Sequence, residues 1–310
     1  MRRPGERHVA ITGATGFVGR HLVARMAADG WAVDALVIPG EEGYFAHHVG
    51  KVTAYTLDGS TETVCRIMTS VSPDAVVHLA SLFVAEHAPG DVEALVQANI
   101  LFGTQVLEGM TTAGCGQLVN VGTSWQHFGG AGYEPVCLYA ATKQAFEDIA
   151  AYHVSAVGLR IITLKLFDTY GPDDARAKLV PKLIALARDG GSLALSPGHQ
   201  LLDMAYVDDV VEALAYALER LGAPASGPTI GSSESFAVSG GQQMTLREFI
   251  GLFERVCERR LDIDWGGRPY RAREVMVPWS SGQPLPGWTP KVDLAEGLRR
   301  TVSAAGLLRR

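Results

Sequence analysis

The sequence predicts an α/β protein: a doubly wound parallel sheet joined to a smaller C-terminal α/β lobe. Three observations carry that expectation. A Gly-x-x-Gly-x-x-Gly loop stands near the start, between an apolar run and a helical pattern. Short apolar runs then alternate with helical patterns to about residue 170. After "YGP" the alternation loosens and Gly and Pro become more frequent. Alternating strands and helices make right-handed crossovers that cover both faces of a parallel sheet.

Each element has its own signal. "HVAIT" is an apolar run closed by Gly13, hence a buried strand, and "FVGRHLVARMAADG" has helical spacing up to Gly30. "WAVDALVI" and "KVTAYTLD" are strand-like. "TETVCRIMTSVSP" predicts a helix ending before Pro73, and "DAVVHLA" a buried strand. "DVEALVQANILFGTQVLEGMTTAG" predicts one long helix. Strand "QLVNVGTS", helix "VCLYAATKQAFEDIAAYHVSAVG" and strand "LRIITLKLF" follow. Later, "DDVVEALAYALERL" and "TLREFIGLFERVCERRL" are helical, with Thr245 and Glu248 at capping-box spacing. "GWTPKVDLAEGLRRTVSAAGLL" predicts a turn and a final helix. The expected organisation is a nucleotide-binding domain over 1-170, with chain returning to it over about 200-227. Residues 171-199 and 228-310 form the second lobe.

Composition narrows the function. A chain of 310 residues, 47% hydrophobic, can bury a core without disulfide staples. Cys65, Cys115, Cys137 and Cys257 are scattered and are expected to be reduced. His47-His48 lacks a partner at ligand spacing, so no metal is expected. A net charge of −6 without a basic run argues against nucleic acid. No run is long and apolar enough to span a bilayer, and no signal-length apolar run follows the basic start "MRRPGERHVAITG". A cytoplasmic protein is the expectation.

"TGATGFVG" places Gly13, Gly16 and Gly19 directly after a strand and at the opening of a helix. The first glycine permits a tight turn, the second lets backbone approach a diphosphate, and the third allows close packing. The helix N-terminus adds unpaired N–H groups and a positive dipole end. This is a Rossmann-like dinucleotide site, with Gly13, Thr15, Gly16, Phe17, Val18 and Gly19 as contacts. The second strand ends "ALVIPGEE", with Val37 and Ile38 where an acid would hold the ribose hydroxyls; Glu41 and Glu42 come beyond Pro39 and Gly40. Without that acid a 2′-phosphate meets no repulsion, so NADP(H) is expected over NAD(H). No Arg stands in the acid's place; Arg20, His47, His48 and Lys51 are the candidate cations for that phosphate.

"YAATK" sets Tyr139 and Lys143 one above the other on a helix. The ammonium and an oxidised nicotinamide should favour the phenolate, leaving the phenol able to give or take a proton at a carbonyl oxygen. "GTSWQHFG" offers Ser124 or Thr123 as the hydroxyl that completes the site.

With these pieces the chain resembles the extended short-chain dehydrogenases/reductases, in the branch of nucleotide-sugar epimerases, dehydratases and reductases. The matching pieces are "TGATGFVG", "LDG", "PDAVVHLAS", "NILFGT", "GTSWQHFG", "YAATK", "LFDTYGP", "DMAYVDDVV" and "GWTPKVDLAEGL". The resemblance implies that Ser124, Tyr139 and Lys143 are catalytic and that Lys143 bonds the nicotinamide ribose. It implies that Asn99 shapes a water-linked proton path. Asp58, with Gly59, would approach the adenine. Leu79, Ala80, Ser81 and Leu166 would line the cofactor groove. It also implies a homodimer formed through the helices holding Asn99 and Tyr139.

The departures from the family pattern carry information too. Sugar 4,6-dehydratases have Thr-Asp-Glu where this chain has Ser124-Trp125-Gln126, so the two elimination carboxyls are missing. Leu202 stands where many relatives place an Arg before Asp203. Asp168 occupies the Asn position of the motif ending in Tyr170, Gly171 and Pro172. A substrate diphosphate then needs other cations: Lys178 and Lys182 at helical i,i+4 spacing, or Arg268, Arg271 and Arg273 in "GGRPYRAREV", with Arg271 three positions before Glu274. Their alternative is a solvated face and loop. Trp125, Gln126, His127 and Asp168 are candidate substrate contacts, with core filler the alternative for Trp125 and an ordinary strand-end histidine that for His127. The expected reaction is reduction of the 4-keto group of a nucleotide-linked 4-keto-6-deoxyhexose. A cofactor-retaining 4-epimerase, a ketoreductase of a nonsugar product and an idle dinucleotide-binding module are the alternatives.

Overall fold

The computed structural model describes residues 7–308 except 49, 131, 224–226 and 228, so the first six residues of the basic start lie outside it. The first half runs β1 (His8–Thr12), α1 (Phe17–Ala28), β2 (Ala32–Val37), β3 (Val52–Thr56), α2 (Thr61–Val71) and β4 (Ala75–His78). It continues through α3 (Val92–Val96), α4 (Phe102–Ala113), β5 (Gln117–Thr123), α5 (Leu138–Val157) and β6 (Arg160–Leu166). Then come β7 (Asp168–Tyr170), α6 (Leu179–Asp189), β8 (Ser192–Leu195), β9 (Leu201–Tyr206), α7 (Val207–Gly222) and β10 (Ser232–Val238). The chain closes with β11 (Gln243–Thr245), α8 (Leu246–Cys257), β12 (Asp262–Trp265) and α9 (Leu294–Ala304).

Seven strands form one sheet in the order β3-β2-β1-β4-β5-β6-β10. Every pairing in it is parallel. Strands such as β4, buried at each position, read as continuous apolar runs because helices cover both faces. On one face α1 and α7 bring Leu22, Met26, Val210 and Leu214 onto the sheet. On the other, α2, α4 and α5 bring Ile67, Met68, Leu107 and Phe146. The strand order reverses between β1 and β4, and in such sheets ligands bind at the C-terminal ends of the strands beside that point.

The predicted long helix is interrupted. Residues Gln97–Leu101 form a π turn between α3 and α4. Asn99 sits in that turn with its side chain buried. Its Oδ1 accepts from Leu82 N at 2.7 Å and Ser81 Oγ at 3.1 Å; its Nδ2 donates to Leu82 O at 3.0 Å and Thr142 Oγ1 at 2.9 Å. The amide thereby fixes the chain leaving β4 against α5. A π turn re-aims side chains in this manner and is frequent at functional sites.

The expected boundaries also move. Residues 200-206, assigned to the returning chain, include β9, which pairs with β7 and β11 in a separate three-stranded sheet. Residues 232-238, assigned to the second lobe, form the edge strand of the main sheet beside β6. "SSESFAV" is half-exposed there, and its polar positions hid an edge strand that an apolar-run criterion passes over. A further core gathers Leu183, Phe249, Phe253, Leu298 and Val302 from α6, α8 and α9. Among the described residues no helix is long and apolar enough to cross a membrane, and no His/Cys/Asp/Glu group could hold a metal.

Candidate functional site

The glycine loop opens onto a cavity of about 600 Å³ that also reaches Ser81, Ser124, Tyr139, Lys143, Leu166 and Asp168. Gly13 has φ +64°, and a Cβ there would lie 2.6 Å from Ala80 N; one on Gly19 would lie 2.0 Å from Gly13 O. Both positions therefore need glycine. Gly16 caps α1 without a side-chain bond, so the first-turn N–H groups face the cavity uncapped. These features fit a dinucleotide diphosphate: close backbone approach, a positive helix end and room beyond it.

Local backbone bonds assemble the Ser, Tyr and Lys group. Thr123 ends β5 and caps a 3-10 turn at Ser124–Gln126; its hydroxyl accepts from Trp125 N at 3.2 Å, and Gln126 Oε1 accepts from Thr123 N at 2.9 Å. The following loop zips back on itself, with Glu134 N donating to Gln126 O and Val136 N to Trp125 O, each at 2.9 Å. That return delivers Tyr139 and Lys143, on α5, to the cavity that Ser124 lines.

Burial governs both titrating groups. Burial pushes the Tyr139 phenol up to about 12, although a hydrogen bond with the Ser81 hydroxyl eases its ionisation. Desolvation is the largest influence on the group and holds the phenol above its ordinary range. Lys143 is itself buried, and losing water lowers it to about 8 despite the Glu147 carboxylate. His78, beneath them, is fully buried and lowered to about 3, first by desolvation and then by Lys143; Thr12 Oγ1 lies 2.8 Å from its Nδ1. It is a neutral structural residue.

At the adenosine end the structure departs from the linear count. Val37 is buried and Ile38 is exposed. Glu41 N donates to Ile38 O at 3.2 Å, and Gly40 has φ +93°, so Ile38–Glu41 is a tight turn with Pro39 and Gly40 at its centre. The turn folds Glu41 back onto the glycine loop, where its Oε2 accepts from Thr15 Oγ1 at 2.6 Å. An acid therefore does stand beside the second strand. Asp58, expected near the adenine, accepts from Ser60 N, Ser60 Oγ and Thr63 Oγ1, and those bonds lower it to about 2. It stabilises the entry to α2. Gly59 follows it, with its carbonyl accepting from Gln105 Nε2.

A second cavity, about 310 Å³, continues from the first past Phe83, Trp125 and Asp168 to Lys178, Lys182, Arg268 and Arg271. Trp125 is gripped by Phe83 (ring centroids 5.5 Å apart) and by the Arg271 guanidinium 5.0 Å above its ring. Lys178 pairs with Asp168 at 3.0 Å and lies 4.0 Å from the Phe83 ring. Burial disfavours the Asp168 carboxylate, but Lys178, then Arg176 and Arg271, outweigh it and keep the group below its ordinary range. Arg271 is forked onto Glu274, as its spacing suggested. Phe83 and Arg176 escaped the sequence reading, since no periodic signal marks a loop residue that a fold brings to a cavity, whereas Arg268 is where the cation search placed it.

Two expected substrate contacts line neither of these two cavities. Gln126 is fully buried, and its Nε2 donates to Gln144 Oε1 at 2.8 Å and Glu147 Oε1 at 2.9 Å. Its amide is consumed in joining β5 to α5. His127 borders a small third cavity of about 50 Å³. Its Nε2 accepts from buried Lys165 at 3.0 Å, its Nδ1 bonds Gly132 O, and its ring stacks on Trp279 at 3.9 Å. Both ring nitrogens are engaged, so it supports the site wall.

A switch-point cavity floored by glycine backbone and holding a Ser/Tyr/Lys group is the arrangement of NAD(P)-dependent short-chain dehydrogenases/reductases of the extended type. The chain belongs to the NAD dependent epimerase/dehydratase family, whose model matches residues 9–230. It is 24% identical over 280 residues to CDP-abequose synthase of Yersinia pseudotuberculosis, covering 87% of this chain and 91% of that one. It is 27% identical over 319 residues to dTDP-glucose 4,6-dehydratase of Streptomyces griseus, covering 96% and 93%. Among solved structures, UDP-glucose 4-epimerase of Thermotoga maritima with UDP-glucose matches with a TM-score of 0.82 at 22% identity, over 96% of this chain and 98% of that one.

Proposed function

We propose that this protein reduces the 4-keto group of a nucleotide-linked 4-keto-6-deoxyhexose. The carrying observation is the pair after Ser124. Trp125 forms an aromatic wall and Gln126 is buried, so no carboxyl occupies the positions from which relatives eliminate water. The ring pair of Phe83 and Trp125 offers an apolar surface for a deoxygenated carbon. A bound nicotinamide, when reduced, would supply the hydride. Tyr139 would give its proton to the developing alkoxide while Ser124 donates a hydrogen bond to the same oxygen. A phenol kept protonated suits that direction. Lys143 would orient the nicotinamide ribose, and Asn99 the proton path through Ser81. Lys178, Lys182, Arg268 and Arg271 would share the substrate diphosphate, beside Trp125 and Asp168. The relatives named as CDP-, dTDP- and UDP-sugar enzymes support a nucleotide-sugar substrate.

The cofactor reading changes with Glu41. Its carboxylate on Thr15 would accept from ribose hydroxyls and repel a 2′-phosphate, which favours NAD(H) rather than the NADP(H) read from Val37 and Ile38. A homodimer through α3, the π turn and α5 is supported by the exposed Val92, Val96, Leu101 and Tyr152.

A 4-epimerase that keeps its cofactor is the second reading. One observation favours it: the segment after β7 is fastened over α1, as Arg20 donates to Asp173 O and Arg176 covers Phe17. Incubation with reduced cofactor and a panel of nucleotide-linked 4-keto-6-deoxyhexoses separates the readings. Reduction consumes cofactor, and epimerisation does not.

A further inference from the structure

We propose that Arg176 is a clamp on the diphosphate of the bound dinucleotide, which rests on the reading of the glycine loop as the cofactor site. Arg176 lies between β7 and α6, outside the glycine motif, yet it lines the same cavity as Gly13, Gly16 and Lys143. Its guanidinium carbon sits 4.3 Å from the ring of Phe17, the first residue of α1. The cation therefore lies on the side chain that opens α1, in the cavity that Gly13 and Gly16 line.

The guanidinium is already aimed. Nε donates to Asp174 Oδ1 at 2.7 Å, and Nη2 donates to Asp174 Oδ2 and to Thr169 O, both at 2.8 Å. Asp174 is almost wholly buried, with a side-chain exposure of 2%, whereas the Arg176 side chain keeps 37%. Nη1 has no partner among the described residues. A planar fork fixed on one side by a buried carboxylate and on its face by a ring loses little freedom when a phosphate takes the remaining arm. Arg20 is the second fastening, donating to Asp173 O with its guanidinium carbon 5.7 Å from the same ring. Two arginines of different elements thus converge on Phe17.

The charges favour the same occupant. A dinucleotide diphosphate brings negative charge to the α1 N-terminus, where backbone N–H groups supply only part of the compensation. Arg176 turns the positive end of its ion pair with Asp174 toward this cavity. The Asp174 carboxylate offsets part of the cation from one side, and the ligand meets the open arm on the other.

Calorimetric titration of the full-length chain with ADP-ribose and with adenosine tests the clamp. Arg176→Gln should weaken ADP-ribose on the order of tenfold and leave adenosine unchanged, since only the former carries the diphosphate. Arg176→Lys restores charge without the fork and should recover part of the loss. A merely structural Arg176 would lower both affinities together. Arg176→Gln binding ADP-ribose within about twofold of the native protein, at a tenfold standard, overturns the clamp. If Arg176→Gln does not fold, stopped-flow release of ADP-ribose from Arg176→Lys decides: faster release supports the clamp and unchanged release contradicts it. Failure of the native protein to bind ADP-ribose at all overturns the glycine-loop reading, and the clamp with it.

Discussion

Glu41 Oε2 accepts a hydrogen bond from Thr15 Oγ1 at 2.6 Å, so a residue beyond the second strand is anchored on the glycine loop. NADH should accordingly give a higher kcat/KM than NADPH, by about tenfold or more if like-charge repulsion costs a few kcal/mol. Glu41→Ala should narrow the ratio, chiefly by improving KM for NADPH. A native preference for NADPH contradicts this assignment.

Tyr139→Phe removes only a hydroxyl from a helix whose packing is otherwise intact. Turnover should drop by about 10²–10⁴-fold, the usual share of general acid catalysis, with ADP-ribose affinity preserved. Steady-state rates beside calorimetric affinities check it; a variant keeping more than about a tenth of the native rate, against that range, takes the proton donor away from Tyr139.

Lys143 titrates near 8 in the folded chain because burial disfavours its charge, against about 10.4 when exposed in the unfolded chain. Between these values the unfolded state binds more protons, so raising the pH favours the fold. Below about 8 both states are protonated and the full penalty for the buried ammonium is present. The Tm of the native protein relative to Lys143→Met should therefore rise from about pH 8 to about pH 10. A flat difference across that window means that Lys143 is better solvated than its position indicates.

Gln126→Glu introduces an acid where dehydratase relatives carry one, yet it should not bring elimination activity. The side chain is buried against Glu147 and Gln144 and lines neither of the two larger cavities. The new carboxylate would lose the amide donor and face Glu147, at a cost of about 1–3 kcal/mol. Chemical denaturation measures the loss, and product analysis by mass spectrometry looks for released water. Elimination by this variant would show that the side chain reaches substrate.

Much of this was legible in the sequence because local rules dominate the first half. The glycine loop, the apolar strands and the Tyr139/Lys143 spacing each follow from backbone geometry or helical periodicity. Reading failed where a turn or distant packing decides. Pro39-Gly40 is a turn signal, and treating it as mere distance removed Glu41 from the site. The π turn at Asn99 costs no hydrophobic periodicity, so one long helix was the natural reading. β10 pairs at a half-exposed edge, and His127 is held by Lys165 and Trp279 from remote segments. Burial, invisible in a motif, is what raises the Tyr139 phenol, and the cation that counters it is Arg176, a loop residue no helical spacing marks.

The central claim is net reduction at a 4-keto carbon, and cofactor stoichiometry tests it most directly. The purified protein is mixed with NADH and, in turn, CDP-, dTDP- and UDP-linked 4-keto-6-deoxyhexoses, and cofactor oxidation is compared with sugar product. Reduction of one of these predicts one NADH oxidised for each 4-hydroxy sugar formed. Interconversion of 4-hydroxy stereoisomers with no net change in cofactor would contradict it and establish the epimerase.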